Sequence, residues 1–585
     1  MDQDLQSVQE ARSLLKSAHE AWQKFEHFTE DQVERILLEI SKAGIANAEP
    51  LAEMAVEETG YGTVEHKTLK NLFCADDVYR AIRPMKTVGI VNEDKEKKVF
   101  EVASPIGVIA AIIPSTNPTS TAIYKALIAL KGRNAIVFSP HPSAAKCINE
   151  TARLIADAAE RAGAPRGVIS CMKLSTMEGT QELMKHELTS LILATGGTGL
   201  VRAAYSAGKP AFGVGPGNVP TYIEKTADVP KAVRDILTGK CFDNGTLCSS
   251  EQSIICDEVV KDSVLAELKK QGAHVCNPQE KTQLERTIQT PRRTLNTKII
   301  GKSAVKIAEI AGFSVPASTR ALVAHADGVG PEYPISMEKL SPTLGFYVVK
   351  DWQEGCAKCI EILNFGGLGH TLSLHTKDDH VVREFGLKKP AFRICVNTPA
   401  ALGAVGYTTN LFPSMTLGCG AAGGNITSDN ISPLHLINLK RVAYGVRDVA
   451  APPPKVASVA SATAGSSRST IEQVVDQWLG RRTPTSPAPP SPSGIGTSRE
   501  ARQGEGQPAT ISAPVAPPLS SYKELEPPKP KAEKKDPKPV GFVCEDDVRT
   551  AIRSNSKIVI GKKTIITPSA RELAESGDVF VLADS

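Results

Sequence analysis

Few aromatic residues, little net charge and no long apolar run characterise the 585-residue sequence. With 5% aromatic residues and a formal net charge of +4, the chain offers neither the stacking side chains nor the basic surface of nucleic-acid-binding proteins. The apolar run at 107–113 is too short to span a bilayer and predicts a buried strand. The N-terminal residues lack the basic and apolar regions of a signal peptide. No nucleic-acid partner and no membrane segment are therefore expected.

Cysteine is present but scattered. The 12 cysteines form no dense cluster, which favours a reduced, cytosolic-type compartment over a disulfide scaffold. Cys356 and Cys359 lie one helical turn apart, but no second pair of this kind completes a zinc site. We expect no metal.

The hydrophobic pattern predicts an α/β protein of two or more domains, because one compact core rarely accommodates this length. Residues 1–60 carry apolar positions at helical spacing, with Thr29 as an N-cap, and predict a helical pair packed on the body. From about 100 to 445, short β-rich runs alternate with helical segments, which predicts parallel sheets with helices on both faces. The predicted elements include Val108–Ile113, Thr121–Leu130, Asn134–Phe138, Ala144–Ala162 and Gly167–Ile169.

The composition changes after Gly445. Residues 448–468 and 483–540 are rich in Pro, Ala, Ser and Lys, and predict disordered linkers. Between them, 469–482 carries one apolar stripe at helical spacing. A short amphipathic helix without a local core predicts docking on a partner. Residues 541–585 predict a small docking module: a helix at 545–552, strands at 557–560 and 564–566 around a Gly561–Lys562 turn, and a further segment at 568–574.

Two residues are candidates for catalytic roles. Cys248 follows an Asn244–Gly245 turn among small polar residues, which keeps a nucleophilic sulfur accessible. The alternative is an inert core cysteine. Asn117 follows an apolar strand, where its amide could donate to a developing oxyanion; the alternative is a turn asparagine.

A glycine turn at Gly196–Gly197 follows a strand and precedes a helix. Such a turn can bring backbone N–H groups to a phosphate, although it lacks the full GxGxxG spacing of dinucleotide-binding loops. Alone, it is weak evidence for a cofactor site.

Taken together, these motifs resemble the aldehyde dehydrogenase superfamily, specifically its CoA-acylating branch, over about residues 5–445. The motifs that carry the resemblance, in the family's order, are Ile113–Pro118, Phe138–Pro142, Ala194–Thr198, Gly213–Asn218, Asn244–Cys248, Glu338–Pro342 and Gly366–His370. The resemblance implies two parallel-sheet domains, one for the cofactor and one for catalysis, with an oligomerisation flap. The implied ranges are 1–239 for the cofactor domain with its N-terminal helices, 240–425 for the catalytic domain and 426–447 for a return segment.

The resemblance also implies roles for individual residues. Cys248 would be the nucleophile, Asn117 the oxyanion donor beside the backbone N–H of Cys248, and Glu338 the carboxylate that holds the nicotinamide ribose. The other residues implied to line the cofactor pocket are Ser139, Pro140, His141, Gly196, Gly197, Thr198 and Gly215. His370 would handle the proton of CoA or orient the cysteine; the alternative is a loop histidine bonded to backbone.

One position at which the sequence departs from the wider family indicates whether water or CoA accepts the acyl group. Hydrolytic relatives have a glutamate that activates water where this chain has Gly213. Without that base, which typically contributes about 10²–10⁴-fold, water attack should be slow, whereas the thiol of CoA needs less help. The family implies NAD, although the Lys and Glu that many hydrolytic relatives place around Ser139–Pro142 are absent, which leaves NADP open.

The expected activity is oxidation of a short aldehyde, propionaldehyde or else acetaldehyde, with NAD and CoA to acyl-CoA. A hydrolytic enzyme releasing free acid and a non-catalytic assembly protein are the alternatives. The Pro-rich tail lacks the histidine cluster of a fused alcohol dehydrogenase. The segment 469–482 resembles encapsulation peptides of bacterial microcompartment cargo, which implies a shell-protein partner and a location inside a cytoplasmic microcompartment. The family also implies a homodimer or homotetramer.

Overall fold

The computed structural model describes residues 2–448 and most of 540–582. Within the second range, the residues left out are 544, 555, 568–569, 572–573 and 575–578. The chain divides into two compact units, Met1–Lys455 and Val456–Ser585. The helix predicted at 469–482 and nearly all of the two linkers around it lie outside the described residues.

Helices form the first part of the chain. They are α1 (Gln3–Phe25), α2 (Glu30–Ala46), α3 (Ala48–Thr59), α4 (Val64–Leu72) and α5 (Val78–Ile82), with a π-helical turn at Phe73–Asp77. Thr29 caps α2 through a reciprocal capping box with Gln32, as the sequence predicts. Apolar residues of α1 and α2 join the core around the first sheet, which confirms the predicted packing of this helical pair. Among the described helices, none is long and apolar enough to cross a membrane.

A five-stranded parallel sheet forms the first α/β layer, after two antiparallel strands, β1 (Gly89–Asp94) and β2 (Val99–Pro105). Its elements are β3 (Val108–Ile113), α6 (Pro118–Lys131), β4 (Ala135–Pro140), α7 (Ala145–Arg161), β5 (Ile169–Cys171), α8 (Met177–Lys185), β6 (Thr189–Thr195), α9 (Thr198–Tyr205) and β7 (Ala211–Val214). The strand order is β5-β4-β3-β6-β7. The order reverses between β3 and β6, and ligands of such sheets bind at the carboxyl ends beside this switch point. The loops carrying Asn117 and Gly196 both start there.

A seven-stranded parallel sheet forms the second layer. Its elements are β8 (Val219–Ile223), α10 (Val229–Cys241), β9 (Glu251–Asp257), α11 (Lys261–Lys270), β10 (Ala273–Val275), α12 (Pro278–Ile288), α13 (Ala304–Ala311), β11 (Ala321–His325), β12 (Thr343–Val349), α14 (Trp352–Phe365), β13 (Gly369–His375), α15 (Asp379–Lys388), β14 (Ala391–Val396) and α16 (Ala400–Ala404). The order is β10-β11-β12-β9-β8-β13-β14. Because β8 pairs with β9 and β13, the predicted domain boundary at 239 is wrong, and the chain changes sheets between β7 and β8. Strand β7 is followed directly by β8 without an intervening helix, so the strand–helix alternation breaks where the chain changes sheets.

The chain then returns to the first layer. Strand β15 (Ile437–Ala443) pairs antiparallel with β2, from Ile437 opposite Pro105 to Ala443 opposite Val99. Ala401, Met415 and Leu417 already belong to the core around the first sheet, so the return begins before the predicted position of 426. Buried contacts, rather than strand pairing, mark its start.

The C-terminal unit has its own small core. Its elements are β16 (Val540–Val543), α17 (Glu545–Ser554), β17 (Ile558–Ile566) and β18 (Phe580–Leu582), in the parallel order β16-β17-β18. The predicted helix is confirmed, but the two strands predicted around Gly561–Lys562 are one strand, β17. Its pairing with β16 shifts register there, with Val540 opposite Ile560 and Phe542 opposite Ile565. The turn residues therefore produce an irregularity within one strand.

We predict that truncating the central strand of the first sheet destabilises the protein. Ile109 is fully buried on β3, and Ile109→Ala should lower the free energy of unfolding by about 2–5 kcal/mol because it leaves a cavity. Leu387→Ala, at a side chain that is 82% exposed, is the control and should change it by less than about 0.5 kcal/mol. Urea denaturation followed by circular dichroism measures both. Equal losses would contradict this placement of β3.

Candidate active site

A cavity of about 550 Å³ opens at the carboxyl ends of β3, β4 and β6. The predicted site residues that line it are Asn117, Ser139, Pro140, His141, Gly196, Gly197, Gly215, Cys248 and Glu338. The structure thus brings together side chains from both layers that are up to 221 positions apart in the sequence. Two predicted residues lie outside the lining: Thr198 begins α9, and His370 reaches Cys248 from β13.

Cys248 lies in the loop between a 3₁₀ turn (Phe242–Gly245) and β9, and is partly exposed. Asp243 and Asn244 adopt positive φ angles of 49° and 52°, a conformation that these two residue types tolerate better than most. Gly245 has φ 74°, and a Cβ there would meet the backbone of Ser341. The predicted turn is therefore present, and it leads the chain into the cavity at Cys248.

His370 contacts the sulfur directly. Its Nε2 lies 3.3 Å from Cys248 Sγ, and its Nδ1 lies 2.9 Å from Thr371 Oγ1. His370 is fully buried near the start of β13, so the alternative of a loop histidine bonded to backbone is wrong. The imidazole lies in a position to orient the thiol.

Burial keeps this pair neutral at rest. It raises the pKa of the Cys248 thiol to about 12, with Glu338 adding to the rise and Arg393 opposing it. Burial also lowers the pKa of His370 to about 3, and Arg393 lowers it further. Around neutral pH, therefore, a neutral imidazole faces a thiol rather than an imidazolium facing a thiolate.

Asn117 is held by residues that sequence reasoning did not identify. Lys70 Nζ donates to Asn117 Oδ1 at 2.6 Å and also binds Asp243. Lys67 Nζ donates to the same carboxylate at 3.0 Å. Lys67 and Lys70 lie three positions apart on α4, a spacing that places both on one face, and this was the available sequence signal.

The cofactor end of the cavity is polar and open. Ser139 Oγ lies 2.8 Å from Thr180 Oγ1, and the side chain of His141 accepts the N–H of Ser143. A Cβ at Gly197, the N-cap of α9, would meet nothing within 4 Å. Open space at a helix N-terminus suits the pyrophosphate of a dinucleotide. The residues present fit NAD.

Glu338 also lines the cavity. Its Oε1 accepts the backbone N–H of Gly217 at 2.9 Å. Burial raises the pKa of Glu338 to about 8, so the carboxyl group is largely protonated at neutral pH. It is the one carboxyl group among the residues that line the described cavity.

Gly213 has no room for a side chain. A Cβ there would lie 2.8 Å from Val201 Cγ1 and 2.9 Å from Tyr205 Cε2. The hydroxyl of Tyr205 also accepts the N–H of Gly213 at 3.0 Å. The tyrosine ring of α9 thus fills the space beside the glycine, and a carboxylate base cannot be added without moving it.

One group outside the cavity has the composition of a metal site. The ligand atoms of His274, Cys276 and Glu280 lie within 4.8 Å of one another. Glu280, however, accepts from His274 Nε2 and from the backbone N–H of Asn277 as part of the cap of α12. These contacts account for the group as a helix start.

Comparison with known proteins agrees with this geometry. The sequence pattern described as the aldehyde dehydrogenase family matches residues 3–311, more than half of the chain. The chain belongs to the aldehyde dehydrogenase family. Its α/β fold with two parallel sheets is confirmed by this match and by the structures of relatives.

Three relatives place the chain within the aldehyde dehydrogenases. It is 44% identical to the bifunctional aldehyde-alcohol dehydrogenase AdhE of Escherichia coli (strain K12) over 442 residues, covering 75% of this chain and 50% of that protein. An acetylating aldehyde dehydrogenase from Geobacillus thermoglucosidasius is 54% identical with a TM-score of 0.76, covering 77% of this chain and all of that one. A propionaldehyde dehydrogenase from the Clostridium phytofermentans fucose utilisation bacterial microcompartment is 30% identical with a TM-score of 0.67, covering 74% and 97%. The chain spans about half the length of the bifunctional relatives that it matches.

The protonation states of this aldehyde dehydrogenase site predict how Cys248 reacts with an alkylating agent. Below the pKa of about 12, the thiolate fraction grows tenfold per pH unit, so the iodoacetamide rate of the cofactor-free protein should rise about tenfold per unit from pH 6 to 9. Peptide mass spectrometry of the Cys248 adduct measures this rate. His370→Asn should keep the same slope. A plateau that begins near pH 6 would reveal an imidazolium–thiolate pair and contradict the neutral pair.

Proposed function

We propose that the chain is a CoA-acylating aldehyde dehydrogenase, which oxidises a short aldehyde with NAD and CoA to acyl-CoA and NADH. One observation carries the proposal: Cys248 and an amide donor face a cavity, and position 213, next to Val214 of its lining, has no room for a water-activating carboxylate. The acetylating relative from Geobacillus thermoglucosidasius, which the chain covers completely, supports acyl transfer as the reaction.

Cys248 acts as the nucleophile. Its sulfur attacks the aldehyde carbonyl, and a carbon–sulfur bond forms while the carbonyl oxygen takes up the electron pair. His370 Nε2, at 3.3 Å from the sulfur, holds the thiol towards the cavity and is the contacting atom to which its proton can pass. A cysteine so oriented loses less entropy on attack than a freely rotating one.

Asn117 stabilises the oxygen that becomes negative. Its amide lines the cavity, and its Oδ1 is already occupied by Lys70, so the nitrogen Nδ2 is the end available to substrate, through the hydrogen that is not donated to Thr116. The backbone N–H of Cys248 is the second donor. Two such donors preorganised around one oxygen stabilise the tetrahedral species more than the aldehyde itself.

NAD is held across the same cavity. Gly196, Gly197 and Thr198 take the pyrophosphate at the start of α9, and Ser139, Pro140 and His141 line the adenosine side. Gly215 and Glu338 would hold the nicotinamide end, with Glu338 on the ribose. Bound NAD would supply the hydride acceptor, and the acyl group would remain on Cys248 as a thioester.

CoA rather than water then removes the acyl group. Tyr205 and Val201 occupy the space beside Gly213, and Glu338 is bonded to Gly217 and largely protonated. Neither position 213 nor Glu338 therefore provides a base that activates a water molecule. A thiol ionises far more readily than water, so transthioesterification proceeds without such a base.

The hydrolytic and non-catalytic alternatives are less well supported. A hydrolytic enzyme needs a base that this cavity does not provide among its described lining residues. A non-catalytic assembly protein has no need of a thiol, an imidazole and an oriented amide at one cavity.

We expect NADH formation to depend on CoA. With acetaldehyde, propionaldehyde or butyraldehyde, the full chain should turn over with CoA and stop after about one NADH per Cys248 without it. Cys248→Ala should form no acyl-CoA, whereas the control Cys171→Ala, at a half-buried cysteine of β5, should remain active. NADH absorbance and mass spectrometry of acyl-CoA measure both products. Free acid at full rate without CoA, or acyl-CoA from Cys248→Ala, would overturn the proposal.

The substrate and location are finer proposals. Propionaldehyde is favoured over acetaldehyde because the relative from Clostridium phytofermentans is described as a propionaldehyde dehydrogenase of a microcompartment. We place this chain inside a bacterial microcompartment of the cytoplasm, as a homodimer or homotetramer bound to a shell protein through 469–482. Confinement suits a volatile and reactive aldehyde.

Deleting 469–482 should leave CoA-dependent activity intact but release the enzyme from shells. The apolar stripe of that segment supplies the proposed contact, since burying several apolar side chains contributes about 1.5–3 kcal/mol each before ordering costs. Co-sedimentation with purified shells measures the attachment. Deletion of 490–503, an equal length of the Pro-rich linker, is the matched control and should not release it. Unchanged co-sedimentation without 469–482 would contradict the docking role.

A further inference from the structure

Three charged side chains are buried directly beneath the cavity. Lys67, Lys70 and Asp243 are exposed by only 2%, 4% and 0%. Both ammonium groups bind Asp243 Oδ2, Lys67 at 3.0 Å. Although burial opposes it, Lys70 and Lys67 hold the pKa of Asp243 below its ordinary value. Two cations thus share one anion in the interior, which is a costly arrangement unless each charge has further partners.

The further partner of each lysine is different. Lys67 Nζ donates to the backbone carbonyl of Thr116 at 3.0 Å, a contact that holds the chain after β3. Lys70 Nζ donates to the side-chain carbonyl of Asn117 at 2.6 Å. The two residues therefore have equal burial and share Asp243, but Lys70 alone of the two contacts the amide.

The contact with Lys70 fixes which end of the amide faces the substrate. An ammonium group has donors and no acceptor, so the amide atom that faces it must be the oxygen Oδ1. The nitrogen Nδ2 is then turned the other way, and one of its hydrogens is donated to Thr116 Oγ1 at 3.2 Å. Without the ammonium group, a half-turn of the side chain could present Oδ1 to the substrate oxygen, where it would repel developing negative charge.

The cluster also connects the amide to the nucleophile loop. Asp243 belongs to the turn that precedes Cys248, and Thr246 Oγ1 donates to Asp243 Oδ2 at 2.6 Å. Lys70 Nζ lies 3.4 Å from the same hydroxyl. One buried ammonium group thus bonds the amide donor, the turn carboxylate and a residue two positions before the sulfur.

We propose that Lys70 is a positioning residue, which orients and polarises the Asn117 amide towards the substrate oxygen and keeps it in register with the Cys248 loop. The inference rests on the proposed function, because it assigns a task to the Asn117 amide in that reaction. Lys70 does not contact the substrate; it acts through Asn117, and its positive charge makes the amide N–H a stronger donor.

A double-mutant cycle tests this role. Asn117→Ala should lower kcat by about 10²–10³-fold, as loss of an oxyanion donor does, and Lys70→Met by about 10–10²-fold with KM for aldehyde and NAD changed less than about threefold. Lys70→Met in the Asn117→Ala background should have almost no further effect, because the amide is already gone. Lys67→Met, which removes a similarly buried lysine from the same carboxylate, is the matched comparison for loss of buried charge and should lower kcat clearly less than Lys70→Met does.

Alkylation of Cys248 separates positioning of the amide from general damage to the loop. The reaction with iodoacetamide forms no oxyanion, so Lys70→Met should alkylate within about twofold of the native rate while its aldehyde turnover falls. Lys70→Gln, a smaller change that keeps a donor without the charge, should have a kcat between those of the native protein and Lys70→Met. It provides the comparison if Lys70→Met does not fold, as judged by circular dichroism and thermal melting.

These experiments distinguish failure of the positioning role of Lys70 from failure of the proposed function. If Asn117→Ala is slow and Lys70→Met equals Lys67→Met, or if the effects of Lys70→Met and Asn117→Ala multiply, the positioning role is wrong and the reaction stands. Parallel loss of alkylation and turnover would show that Lys70 only maintains the structure of the loop, and would likewise overturn the positioning role. If Cys248→Ala forms acyl-CoA, the proposed function itself is wrong.

Discussion

The buried carboxylate of Asp243 is the constraint on which the site depends. It receives hydrogen bonds from two lysines of α4 and from Thr246, and its Oδ1 accepts the backbone N–H of Thr63 at 2.9 Å. These bonds attach the cysteine loop of the second layer to the helices that pack on the first. Because a buried carboxylate needs paired charges and hydrogen bonds, these partners fix the position of the cysteine loop relative to α4.

Burial sets the electrostatics of the site. It keeps Cys248 a thiol, His370 a neutral imidazole and Glu338 largely protonated, so these three groups carry little charge in the resting site. In the proposed reaction, charge created during attack would therefore meet fixed amide dipoles rather than mobile ions. Tyr205 completes this arrangement from the other side, because its ring excludes a side chain, and with it a base, from position 213.

Local signals predicted the elements well and their assembly less well. The strand predicted at Val108–Ile113 is β3 within its bounds, and Thr29 caps α2 as predicted. The boundary predicted at 239 is wrong because β8 pairs with β9 and β13, and strand pairing is a contact between distant segments. In the site, the motif residues Cys248, Asn117 and Glu338 were identifiable from the sequence. Lys70 was not, because a lysine on an amphipathic helix is usually solvated.

The sequence alone determined the kinds of chemistry present: a cysteine after an Asn–Gly turn, an asparagine after an apolar strand, a glycine turn before a helix and a glycine at position 213. These are properties of a residue type and its immediate neighbours, which the chain encodes locally. Only the tertiary structure decided that His370 touches the Cys248 sulfur, that Tyr205 fills the space beside Gly213 and that Lys70 binds Asn117. Each of these is a contact across at least eight residues, and its geometry depends on how the two sheets and their helices pack together.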